Sequence, residues 1–212
     1  MFITFEGCEG SGKSTAIETI KNRLLKDGYE VLLTREPGGT PISEDIRKVI
    51  LSKHNTDMDP MTEALLYAAS RRQHIQQKIL PALSQDKIVL CDRFLDSSLA
   101  YQGKARGLGM DNIYELNHYA TDGLEPDITI FFDLKPEDGL SRISKNKLRE
   151  VNRLDKEKLE FHNKVYDGFM ELAKNNPDRY IVIDASKSPD EVAEDAYTKI
   201  LKRIELWTLT HI

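Results

Sequence analysis

Residues 7–14 read Gly-Cys-Glu-Gly-Ser-Gly-Lys-Ser, and this string leaves the chain few ways to fold. It follows the apolar run Phe2–Glu6 and precedes a segment in which Ile17, Ile20 and Leu24 recur at helical spacing. It therefore matches G-x-x-x-x-G-K-[ST] at the turn where the mechanism of that motif requires it, between a strand and a helix. Glycines at 7, 10 and 12 let the backbone curl so that its N–H groups and the helix N-terminus face phosphate oxygens. Lys13 supplies a cation that reaches the outer phosphates, and Ser14 offers a hydroxyl to Mg²⁺. Gly7, Cys8, Glu9, Gly10, Ser11, Gly12, Lys13, Ser14 and Thr15 are the expected triphosphate-binding set. The loop alone leaves open whether the terminal phosphate is hydrolysed, transferred or sensed.

The remaining order of elements agrees with this start. Phe2–Glu6, Glu30–Arg35, Lys87–Asp92, Asp127–Leu134 and Arg179–Asp184 are short runs rich in β-branched and aromatic residues, separated by longer segments of helical period. That alternation predicts an α/β fold, a three-layer doubly wound sheet of five parallel strands with flanking helices. Pro60 is placed to open a long helical stretch reaching Leu83. Leu159, Val165, Tyr166, Phe169, Leu172 and Ala173 form one apolar stripe. A last helix has Ser188 as its cap and Pro189 in its first turn.

Residues 1–212 read as a single domain, without repeat or linker. The one anomaly is the stretch 142–158, where seven basic and three acidic residues crowd together with few apolar anchors. An excursion from the core, a lid at about 142–155, is expected there.

Thirty basic against thirty-five acidic side chains give a net charge of −5, which argues against a broad nucleic-acid-coating face. Two cysteines, Cys8 and Cys91, are too few for a disulfide scaffold and fit a reducing compartment. No apolar run is long enough for a membrane helix, and the start of the chain has no signal-peptide pattern. A soluble, untargeted protein is expected.

Two observations favour phosphoryl transfer over a switch or a motor. The nearest string to the guanine-reading N-K-x-D is Asn146-Lys147-Leu148-Arg149, with arginine where the acid belongs. The strand ending in Asp92 is followed by Arg93 and not by a second carboxylate; an aspartate there can organise Mg²⁺, and the arginine can brace a transferring phosphoryl group. Arg35 and Arg93 both fall at carboxyl ends of expected strands, where open parallel sheets bind ligands. Arg47 and Arg71 lie on helices. The five histidines show no metal-ligand spacing and are expected in surface or packing roles.

Gly7–Thr15 together with Thr34-Arg35-Glu36-Pro37-Gly38-Gly39, Ala69-Ser70-Arg71-Arg72 and Asp92-Arg93-Phe94-Leu95-Asp96-Ser97-Ser98-Leu99-Ala100-Tyr101-Gln102-Gly103 resembles the thymidylate kinase family, within the P-loop nucleoside monophosphate kinases. The resemblance implies ATP and dTMP as substrates, Mg²⁺ as cofactor, a cytoplasmic homodimer, and no membrane or nucleic-acid polymer as partner. It also implies roles. Arg47 clamps the acceptor phosphate, with Arg35 beside it, while Arg93 and Glu36 stand where transfer and metal meet. Ser14, Asp92 and Glu36 are the implied metal set. Arg71, Ser98 and Gln102 form the base pocket, with Leu66 against the ring. Glu9 accepts from the sugar 3′-hydroxyl, and Tyr101 crowds the 2′ position. Gly10 stands where one design of the family has an arginine, so the basic stretch resembles the lid of the other design, with Arg142, Lys145, Arg149 and Arg153 as candidates. A kinase for another nucleotide or a deoxynucleoside, or a P-loop switch, are the alternatives.

Overall fold

A computed structural model of the chain describes residues 1–145 and 153–210. Five strands, β1 Phe2–Glu6, β2 Val31–Arg35, β3 Ile88–Asp92, β4 Ile128–Asp133 and β5 Tyr180–Asp184, form one parallel sheet in the order β2-β3-β1-β4-β5. Each lies within one residue of its expected bounds. The helices are α1 Lys13–Lys26, α2 Pro41–Leu51, α3 Pro60–His74, α4 Leu80–Leu83, α5 Leu95–Ser98, α6 Met110–Thr121, α7 Pro136–Lys145, α8 Leu159–Asn175 and α9 Pro189–Thr210.

Alternate strand residues face opposite sides of the sheet, and both sides are covered. Ile3, Phe5 and Ile130 pack under Ile17, Ile20 and Leu24 of α1 and Val192, Ala196 and Ile200 of α9. Phe2, Val89, Cys91 and Phe131 pack under α3, α5, α6 and α8 through Ala64, Leu95, Ile113, Val165 and Phe169. The edge strands β2 and β5 are only partly buried.

Local chemistry sets the helix starts. Asp59 accepts from the Thr62 N–H at 2.9 Å ahead of Pro60. Ser188 and Glu191 exchange bonds as a capping box, the Glu191 N–H to Ser188 Oγ at 3.4 Å and the Ser188 N–H to Glu191 Oε2 at 3.1 Å. The stretch 60–83 is α3 and α4 joined by a π-helical turn, Ile75–Ile79. Leu159 departs from its expected stripe and is exposed in the first turn of α8.

The chain leaves β1 toward β2 on one side and β3 toward β4 on the other, so the carboxyl ends of β1 and β3 flank the crevice where open α/β sheets bind ligands. Backbone bonds stitch that edge together. The Arg93 N–H donates to the Phe5 carbonyl at 3.0 Å, and the Glu36 N–H to the Asp92 carbonyl at 2.9 Å.

Candidate active site

A cavity of about 760 Å³ opens at this edge, lined along one flank by residues 9–15. Lys13 is buried there, its Nζ donating to the carbonyls of Gly7 at 3.1 Å and Cys8 at 3.4 Å. Burial and the nearby Arg93 charge lower its pKa against the pull of Asp92, Glu9 and Glu6. Ser14 Oγ donates to Asp92 Oδ2 at 3.2 Å, so a hydroxyl and a carboxylate oxygen meet beside the loop, a donor pair suited to a hard cation such as Mg²⁺.

Gly10 has φ 74°, in the left-handed region, and α7 presses on it: a Cβ at Gly10 would lie 2.2 Å from the Gly139 carbonyl oxygen, and one at Gly139 would lie 2.1 Å from the Glu9 carbonyl oxygen. An arginine at position 10 is therefore incompatible with α7 in this position. Gly139→Ala is expected to push α7 off the loop, lowering stability by about 1–3 kcal/mol and weakening the binding of a triphosphate there. Thermal denaturation and a nucleotide titration measure both.

Arg93 joins the two halves of the cavity. Its φ of 71° is left-handed, a conformation that costs an L-residue about 1–2 kcal/mol. Glu6, buried at the end of β1, holds the turn by accepting from the Phe94 N–H at 2.8 Å and Ser97 Oγ at 2.5 Å. Burial and the neighbouring Asp96 push the Glu6 carboxyl up to about 7, against Arg93, Ser97 and Phe94. Arg93 then donates to Ser97 Oγ at 3.1 Å and to Glu9 Oε1 at 3.2 Å. Glu9 also accepts from the Tyr101 hydroxyl at 2.6 Å. Burial opposes the Glu9 charge, yet His162, Arg93, Tyr101 and Lys13 together hold its carboxyl well below the usual range.

At the far end, Arg71 is 1% exposed. Its Nε donates to Glu36 Oε2 at 2.7 Å, Nη1 to Ser98 Oγ at 3.0 Å and to Asn117 Oδ1, and Nη2 to the Phe94 carbonyl at 2.9 Å. The other Glu36 oxygen is taken by His74 Nδ1 at 2.9 Å, and His74 Nε2 lies 2.6 Å from Thr34 Oγ1. Glu36 thus braces Arg71, and its two oxygens are engaged by Arg71 and His74. Arg35 and Arg47 line the cavity and donate to the Pro37 carbonyl at 2.8 and 3.0 Å. Ser98, Tyr101 and Gln102 complete the wall, Gln102 Nε2 donating to the buried Glu63 at 2.8 Å.

Leu66 does not line the cavity; Tyr67 does. One helical step turns a side chain by about 100°, and Tyr67 shares the face of Arg71 four residues on.

The lid candidates separate. Arg142 lines the cavity and donates to the carbonyls of Ala185 at 3.0 Å and Ser186 at 3.4 Å, beyond β5. Lys145 ends α7, exposed and outside the cavity lining. Arg153 is buried against Glu63 Oε2 and the Ile50 carbonyl, because a buried guanidinium requires a carboxylate. Arg149 lies outside the described residues.

A family model described as thymidylate kinase matches residues 5–196. The chain is 55% identical over 204 residues to a thymidylate kinase of Geobacillus sp. (strain WCH70), covering 96% of this chain and 97% of that one. It is 54% identical over 209 residues to a thymidylate kinase of Bacillus velezensis, covering 97% and 99%. The chain belongs to the thymidylate kinase family. Among solved structures, a thymidylate kinase from Ehrlichia chaffeensis superposes with a TM-score of 0.74 at 35% identity, covering 96% of this chain and 98% of that one. As a member of the thymidylate kinase family the chain is a kinase, a transferase of phosphoryl groups.

Sequence reasoning for this family member missed Tyr67, Glu6, Asn117, Glu63, His74 and His162. Tyr67 was findable from its spacing to Arg71. The others carry no local pattern, since their partners come from distant elements.

Proposed function

We propose that ATP binds with its phosphates on residues 7–15 and that dTMP lies along Arg71, Ser98 and Gln102, so that the γ-phosphoryl group passes straight to the acceptor phosphate. The reaction, dTMP to dTDP, is what family membership over nearly the whole chain carries. The observation that supports the placement is that one cavity is lined by Lys13, Arg93 and Arg71 together.

The acceptor is already an anionic oxygen, so no general base is required and catalysis reduces to alignment and neutralisation of charge. Lys13 steadies the outer phosphates of the donor. Arg35 and Arg47 clamp the acceptor phosphate, Arg93 spans the junction, and Arg142 closes over the donor side from α7. Ser14 and Asp92 would hold Mg²⁺, which supplies neutralisation of the β and γ oxygens when bound. Glu36 serves through Arg71. Glu9 accepts from the sugar 3′-hydroxyl, and Tyr101 crowds the 2′ position. The lid, residues 142–155 of one domain, excludes water during transfer.

We also propose a homodimer in the cytoplasm. Met61 and Leu65 of α3 and Tyr119 of α6 are exposed apolar side chains that support the first, and the free buried Cys8 and Cys91 support the second. No helix among the described residues is long and apolar enough to cross a membrane.

A panel of acceptors with ATP and Mg²⁺ tests the reading. dTMP is expected to lead, and dUMP, lacking one methyl, to fall by about 10- to 100-fold in kcat/KM without becoming inert. Turnover of dGMP equal to that of dTMP would overturn the base assignment, and equal turnover of thymidine would overturn the assignment of a monophosphate acceptor.

A further inference from the structure

The two oxygens of the Glu9 carboxylate are used unequally. Oε1 accepts from Tyr101 and Arg93. Oε2 is buried without a hydrogen-bond partner, although Glu9 lines the cavity. The imidazole of His162 stands beside it, Nδ1 at 3.5 Å, longer than a full hydrogen bond and close enough to orient the carboxylate. His162 is 1% exposed, and its Nε2 also has no partner.

Packing alone does not account for a histidine here. It comes from α8, whose neighbouring turns bury Val165 and Phe169 in the core, and its ring meets Phe161 edge-on at 5.8 Å. An aliphatic side chain would fill that space without bringing two buried ring nitrogens that need partners. What imidazole adds is a donor on the side of the buried Oε2, which fixes the carboxylate plane and leaves Oε1 on the side of Tyr101 and Arg93, both of which line the cavity.

We infer that His162 is a positioning residue for acceptor specificity: it anchors the buried Oε2 of Glu9 and so holds Oε1, on the cavity side, at the angle from which it accepts the sugar 3′-hydroxyl. The inference deepens the reading of Glu9 given above and rests on it. His162 then controls discrimination against acceptors that lack the hydroxyl, without touching the substrate.

The test compares kcat/KM for dTMP and for 3′-deoxythymidine 5′-monophosphate in the full chain and in Glu9→Gln, His162→Leu, His162→Asn and His162→Gln. His162→Leu is expected to cut the ratio about tenfold, carried by a rise in the KM for dTMP with kcat little moved. His162→Asn places its amide nitrogen where Nδ1 was and keeps most of the ratio; His162→Gln, whose amide corresponds to Nε2, loses it. The contrast between these two polar variants decides the matter even if His162→Leu folds poorly. If both keep the wild-type ratio while Glu9→Gln collapses it, Glu9 reads the hydroxyl and His162 has no part in it. If Glu9→Gln leaves the ratio unchanged, the reading of Glu9 itself fails, and the inference with it.

Discussion

Lys13→Ala is expected to lower kcat for dTMP phosphorylation by about a thousandfold or more while leaving the melting temperature unchanged or slightly raised. Removing one preorganised donor from developing charge costs about 10²- to 10³-fold in comparable sites, and Lys13 carries a full charge as well. Stability should move the other way. The ammonium is buried, burial and Arg93 already disfavour its charge, and its bonds are to two carbonyls of its own loop. Deleting it relieves desolvation and repulsion together. Lys13→Arg should not restore the rate, because a planar fork cannot take the place of a compact point charge inside a curled loop. A coupled ADP-release assay with a thermal melt separates the effects. Wild-type turnover in Lys13→Ala would exclude the phosphate-loop assignment, and a large drop in melting temperature would show that the lysine is mainly structural.

That contrast also marks what was legible in the sequence. The phosphate loop, the five strands and the Asp92-Arg93 pair could be read because their signals are local: a glycine spacing, a run of β-branched residues, a charged pair at a strand end. The consequences of chain crossings could not. His162 meets Glu9 across 153 positions, and Asn117 meets Arg71 across 46. Neither histidine beside the site stands in a recognisable motif, and both fell to the expectation that a histidine without metal spacing is a surface or packing residue. Glu36 shows a second kind of limit. Its place at the turn after β2 was correctly anticipated, but whether its carboxylate is free for a metal depends on His74 and Arg71, both from α3. Leu66 failed by a single helical step, since the period of a helix gives the spacing of a face more firmly than its direction.

Arg71→Ala is the substitution expected to cost the most stability. It strips donors from Glu36 Oε2, Asn117 Oδ1, Ser98 Oγ and the Phe94 carbonyl at once, all within the core, and removes a guanidinium that lies 5.1 Å over the Phe94 ring. Breaking one side of a buried ion pair costs about 3–5 kcal/mol, mostly through the charge left behind. For a chain of this size that is a fall of roughly 6–20 °C in melting temperature. Affinity for dTMP should fall as well, by about 10- to 100-fold, if the same guanidinium reads the base. Adding Glu36→Gln separates the two roles: with no unpaired carboxylate, the double variant should regain a good part of the lost stability and none of the dTMP affinity. If the single variant melts within about 2 °C of wild type, His74 alone suffices to hold Glu36 and the brace described here is dispensable. If the double variant recovers dTMP affinity together with stability, Arg71 acts on the fold of the pocket and not on the base.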